Sequence, residues 1–233
     1  MRMLDHPNVL KALEINLEND LPQIKFENYT SNLKDWMETH DFPNYLQNYF
    51  IYQIAEGMRY IYSRKIAKHN MNPSSIFISD DLTIKIGLFS RAEILSRKDQ
   101  NKILQSSEET DVRYFGRTVY YILSQGELKM DINDDDLKSF PLLARQLIEA
   151  CLCEDESRPD FTFICEIIEQ NNYNLTSLSD QENQKLLSML SQYKEKMKNK
   201  YKIEEWKNKE KEEDYNEQND NDEEIINEKI RIK

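Results

Sequence analysis

Apolar residues recur along this chain with two different periods, and the periods change in a definite order. Leu46, Phe50, Ile54, Met58 and Ile61 fall on one face of an α-helix. Pro43 stands where the first turn of a helix accepts proline, so a helix of about 20 residues is predicted from there. Tyr45, Tyr49, Ile51 and Ala55 add apolar positions on its other sides, which predicts burial on more than one face. Leu33–Thr39 reads as a short helix, and after a polar loop Val112–Leu123, Leu142–Leu152 and Phe161–Ile168 read as three more. Val9–Asn16 and Gln23–Glu27 read as strands joined by the polar turn Leu17–Leu21. Ile76–Ile78 and Thr83–Ile86 read as a hairpin around Ser79–Leu82. Two strands, helices, a small hairpin and then helices alone predict a mainly α (α+β) fold, a helical lobe with little sheet.

The pattern changes near residue 170. Ser179-Asp180-Gln181-Glu182 fits a capping box, and Leu186, Leu190, Tyr193 and Met197 follow on one helical seam. That seam ends at Lys200, and it suits either packing on its own domain or pairing with a partner helix. From Glu204 to Glu228 there are twelve acids and three lysines, so this stretch carries -9 of the chain's net -12. Beyond Glu210 there is too little apolar area to offset the entropy of ordering, which predicts disorder. Ile225, Ile226, Ile230 and Ile232 offer a small docking motif at the end. The expected organisation is a folded domain over 1–170, a linker and amphipathic helix over 171–203, and an acidic tail over 204–233.

Composition narrows the function. A net charge of -12 argues against a nucleic-acid binder, which needs a basic face, and against a polybasic membrane anchor. No apolar run approaches the roughly 18 residues of a membrane span, and Met1–Pro7 lacks the apolar core of a signal peptide. Cys151, Cys153 and Cys165 are an odd, clustered set, better read as reduced thiols than as a disulfide framework. The expected location is the cytoplasm, or else the nucleus. Cys151-x-Cys153 lacks a second ligand pair nearby, so buried small side chains on a helix are expected there rather than a metal.

The segment Gly57–Ile78, GMRYIYSRKIAKHNMNPSSIFI, resembles the catalytic-loop region of eukaryotic protein kinases, whose pattern is G-M-x-Y-L-H-S-x-x-I-x-H-R-D-L-K-P-x-N-I-L. Pro73 sets the register, and Ile66, Met71 and Ile76 fall on its apolar positions. Four further landmarks follow the family's order. Leu4-Asp5-His6-Pro7-Asn8-Val9 is similar to the L-x-H-P-N-I turn. Lys85–Ser90 stands where the family has a strand ending in D-F-G. Asp111–Gly116 is similar to D-V-W-S-x-G, and Arg158-Pro159-Asp160-Phe161 to the R-P-S-F of tyrosine-kinase-like groups. The resemblance begins late, so the Gly-rich loop, the phosphate-pairing Lys and most of the helix before that first turn would lie upstream of Met1. No G-x-G-x-x-G can be built from the four glycines. A form of the protein with an amino-terminal lobe is one expectation.

Phosphoryl transfer needs positioning, Mg²⁺ and a group that orients the substrate hydroxyl. By the resemblance, the catalytic Asp falls at Asn70, the γ-phosphate Lys at Asn72, the Mg²⁺-holding Asn at Ser75 and the D-F-G Asp at Leu88. Two of these changes delete carboxylates, and a neutral amide cannot accept a proton as a carboxylate does. The resemblance therefore implies no active catalytic residues, no Mg²⁺ and no required cofactor, with ATP binding left open. The family's structural positions are kept at Phe89, Asp111, Gly116 and Arg158. No A-P-E is visible in the 22 residues between Leu88 and Asp111, so Arg158 is expected to pair with Glu108 or Glu109, or to face a partner. Lys25 and Lys68 are further cations near the hinge and the loop.

The expected function is a pseudokinase that acts as a protein-interaction or regulatory scaffold in signalling. Its partners would be proteins engaged by helix 179–198 or by the acidic tail, with no nucleic acid and no membrane. The alternative is an active kinase fragment that phosphorylates Ser/Thr or Tyr with ATP, using displaced carboxylates such as Asp80 and Asp81. A kinase–endoribonuclease is disfavoured because the stretch after Gln170 is acidic and has no His.

Overall fold

The computed structural model describes residues 4–16, 23–69, 71–94, 100–154 and 158–199. The turn at 17–21, Asn70 and the acidic tail with its isoleucines lie outside the described residues. The chain divides into two units, Met1–Leu186 and Leu187–Lys233.

The first unit is helix-rich, with a few short strands, as the order of elements predicts. Strands β1 (Ala12–Asn16) and β2 (Gln23–Phe26) form an antiparallel pair, with a bulge between Ala12 and Glu14. Lys25 is exposed on β2, opposite Glu14. Strand β3 (Ser31–Asn32) leads into α1 (Leu33–Thr39), whose first turn is capped by the Asn32 side chain accepting from the Asp35 amide. Helix α2 spans Asn44–Ser63, with Pro43 as its N-cap residue rather than inside the first turn. Pro43 is extended there, and its carbonyl accepts from the amides of Leu46 and Gln47, closing the first turn.

Every residue of α2 from Leu46 to Met58 is buried. Most of its polar members bond to partners, as burial requires, although Asn48 Nδ2 is buried without a hydrogen-bond partner. Gln47 donates to the Phe42 carbonyl at 2.8 Å, and Glu56 pairs with Arg59 at 2.6 Å. Gln53 accepts from both the Asn8 side chain and the Ile84 amide. Asn8 also donates to the Ile84 carbonyl. Through these bonds the His6–Val9 turn is fastened to α2 and to the central hairpin.

After β4 (Ile66–Ala67) comes a 3₁₀ turn over Pro73–Ser75 and then the hairpin β5 (Ile76–Ile78) and β6 (Ile84–Ile86), paired Ile76 to Ile86 and Ile78 to Ile84. β3 joins the free edge of β5, and β4 pairs with β7 (Glu93–Ile94). None of β3, β4 and β7 is predicted from the sequence, because two-residue strands carry no period.

Helix α3 (Gln100–Leu123) starts twelve residues before the predicted Val112. The added stretch is polar but rich in good helix formers, so propensity carries the helix outward where no apolar stripe marks it. A single-turn helix, α4 (Asp134–Leu137), is capped by Asn133. α5 (Leu142–Leu152) packs on α3, and α6 (Phe161–Gln170) packs on α2. Burial continues past Gln170, with Leu175 and Leu186 fully covered. Residues 180–199 are helical. The Ser179 hydroxyl accepts from the Glu182 amide and the Glu182 carboxylate from the Ser179 amide, at 3.3 and 3.0 Å. In the second unit Leu190 and Tyr193 are buried.

Gly116 sets the approach of α3 to α5. A Cβ there would lie 2.7 Å from the Cβ of Cys151, closer than two carbons pack. Gly116→Ala should therefore destabilise the domain by about 1–3 kcal/mol, the range for overpacking, with a lower urea midpoint as the readout.

Candidate functional site

The site is built around a carboxylate. Asp111, fully buried on α3, accepts on its Oδ2 from the Lys68 amide (2.9 Å), the His69 amide (3.0 Å) and the Tyr62 hydroxyl (2.6 Å). This one oxygen joins α3 to the end of α2 and to the loop that follows β4. His69 has a left-handed backbone, φ 58°, which turns the loop so that both amides face the same acceptor. Burial and the adjacent Asp111 charge push the Tyr62 phenol far up, so it stays a donor.

Lys68 stands where the kinase pattern has the His of H-R-D, and its side chain is buried. Its Nζ donates to the Leu88 carbonyl at 3.0 Å and lies 5.1 Å from the centroid of the Phe89 ring, within cation–π range. Burial lowers its pKa to about 8, partly offset by the charge of Asp111. Sequence reasoning marks Lys68 as a cation near the loop. What it misses is that the side chain spans the loop to reach the segment after β6.

The other loop positions lie close by. Asn72 and Ser75 cap the 3₁₀ turn reciprocally. The Asn72 side chain accepts from the Ser74 amide at 3.0 Å, while Ser75 Oγ accepts from the Asn72 amide at 3.0 Å and donates to its carbonyl at 2.9 Å. The two side chains that the resemblance would assign to phosphate and metal thus hold the turn's own backbone. Leu88 follows Gly87, where a Cβ would meet the Phe77 ring at 2.6 Å. Leu88 has φ 53° and is 45% exposed, so an apolar side chain is presented to solvent from a left-handed backbone. Phe89 beside it is half-buried.

A hard cation seeks several oxygens, carboxylates first, and Leu88 offers none. Among the described residues no group of three or more His, Cys, Asp or Glu side chains is placed to hold a metal ion. Asp80 and Asp81 serve the hairpin instead. Asp80 accepts from the Thr30 hydroxyl at 2.6 Å, and Asp81 from the Ser79 hydroxyl at 2.8 Å and the Thr83 amide at 3.2 Å.

Arg158 reaches the segment before Asp111, but through backbone. It donates to the Glu109 carbonyl at 3.0 Å and to the Cys153 carbonyl, so the expected ion pair with Glu108 or Glu109 is replaced by carbonyl bonds. The Glu108 carboxylate instead accepts from the Phe161 amide at 3.1 Å, at the start of α6, and burial raises its pKa. The cause is the long α3. Residues 108 and 109 are helical there, and the carboxylate at 108 is directed to a neighbouring helix N-terminus, where a negative group is favoured. Cys151 and Cys165 are buried on α5 and α6, with thiol pKa values pushed up by burial.

Comparison with known proteins agrees with this geometry. The family described as protein tyrosine and serine/threonine kinase matches residues 1–118 of the 233. The chain belongs to that kinase family. Among its relatives are human mitogen-activated protein kinase 4, 31% identical over 118 residues, and the mouse protein of the same name, also 31% identical over 118 residues. Each alignment covers 44% of this chain, and 19% and 20% of those proteins respectively. The rat protein of that name is 30% identical over 114 residues, covering 44% of this chain and 42% of its own length. The chain thus spans about a fifth of the human and mouse relatives and about two-fifths of the rat one.

Two expectations follow. Asp111→Ala orphans three donors, and at about 1–3 kcal/mol for each unsatisfied buried group it should cost several times more than Tyr62→Phe in urea denaturation. Lys68 has a folded pKa of about 8 against an ordinary value of 10.5. Between those values the unfolded chain binds more protons, so this residue's contribution to stability rises with pH across that window and is lost as pH falls through 8. Lys68→Met should flatten that part of the stability–pH curve.

Proposed function

We propose that this chain is a kinase-like module of the tyrosine-kinase-like branch that has lost phosphoryl transfer and serves as a regulatory scaffold in signalling, engaging protein partners. The observation that carries the reading is Leu88, an exposed aliphatic side chain in the place of the carboxylate on which Mg²⁺ would depend. Asn72 and Ser75, committed to one another's backbone, support it. The structural groups around them, Asp111, Phe89 and Gly116, are all in packed or bonded places.

On this reading the module needs no Mg²⁺, and ATP binding is separable from transfer. The partners are proteins, met by helix 179–198 or the acidic tail, with electrostatic steering toward basic surfaces. No helix among the described residues is long and apolar enough to cross a membrane; separately, the odd, clustered cysteines, read as reduced thiols, support placing the protein in the cytoplasm or nucleus. The names of the relatives favour a second reading, an active kinase of which this chain is a part.

The test is phosphate transfer from labelled ATP to the protein itself and to a generic basic protein substrate, with Mg²⁺ or Mn²⁺. No transfer above background is expected. Transfer abolished by Asn70→Ala or Ser75→Ala would establish the second reading and overturn the first. A thermal melt with ATP, with and without Mg²⁺, runs alongside. Ligand at 100 times its Kd adds about 2.7 kcal/mol, worth roughly 2–4 °C per kcal/mol for a domain of this size. Any shift should be independent of the metal.

A further inference from the structure

We draw no further inference here: the strongest candidate, the exposed apolar patch before β3 and after β6 where Tyr29 packs on the Phe77 ring and Leu88 follows Gly87, carries nothing, because nothing in the structure shows what covers it.

Discussion

The lobe depends on the Asp111 carboxylate. One oxygen takes the amides of Lys68 and His69 and the hydroxyl of Tyr62, all within 3.0 Å. In a buried place each of those donors needs an acceptor, and the left-handed turn at His69 leaves the two amides no partner in a strand or helix. The bond therefore sets where the loop leaves β4. From there the Lys68 side chain reaches Leu88 and Phe89, the Asn72–Ser75 cap closes the next turn, and the hairpin β5–β6 follows in register. A carboxylate in the middle of one long helix thus fixes the start of the loop that leads to Asn72 and Ser75.

Groups that hold shape and groups that would perform transfer are treated differently here. A catalytic loop that handles a nucleotide must keep polar side chains available for it, which costs stability until ligand arrives. In this loop the corresponding side chains of Asn72 and Ser75 bond to the protein's own backbone. The buried lysine spends its charge on a carbonyl and an aromatic ring.

Much of the fold is legible in the sequence because burial imposes a period. The α2 face, the β5–β6 hairpin, α5 and α6 follow from their apolar spacing, and the Ser179–Glu182 cap from a four-residue pattern. The amino-terminal half of α3 is not legible, because a helix on a polar surface shows no apolar stripe and only propensity marks it. Pro43 reads as a first-turn residue and is in fact the cap, a one-residue distinction that the backbone angle before the helix decides.

The candidate site divides along the same line. The identities at Asn72, Ser75 and Leu88 are local facts, and set against the kinase pattern the sequence has Asn70 and Leu88 where that pattern has carboxylates. What those side chains bond to is decided by residues far away in the chain. Lys68 meets Leu88, Asp111 meets the 68–69 amides, and Arg158 takes the Glu109 carbonyl because an unbroken α3 carries the neighbouring Glu108 carboxylate to α6. The sequence by itself determined the order of elements and the chemical groups available, since periodicity and side-chain type are properties of neighbours along the chain. Only the tertiary structure decided which donors share an acceptor, since that depends on distances between segments that sequence order does not encode.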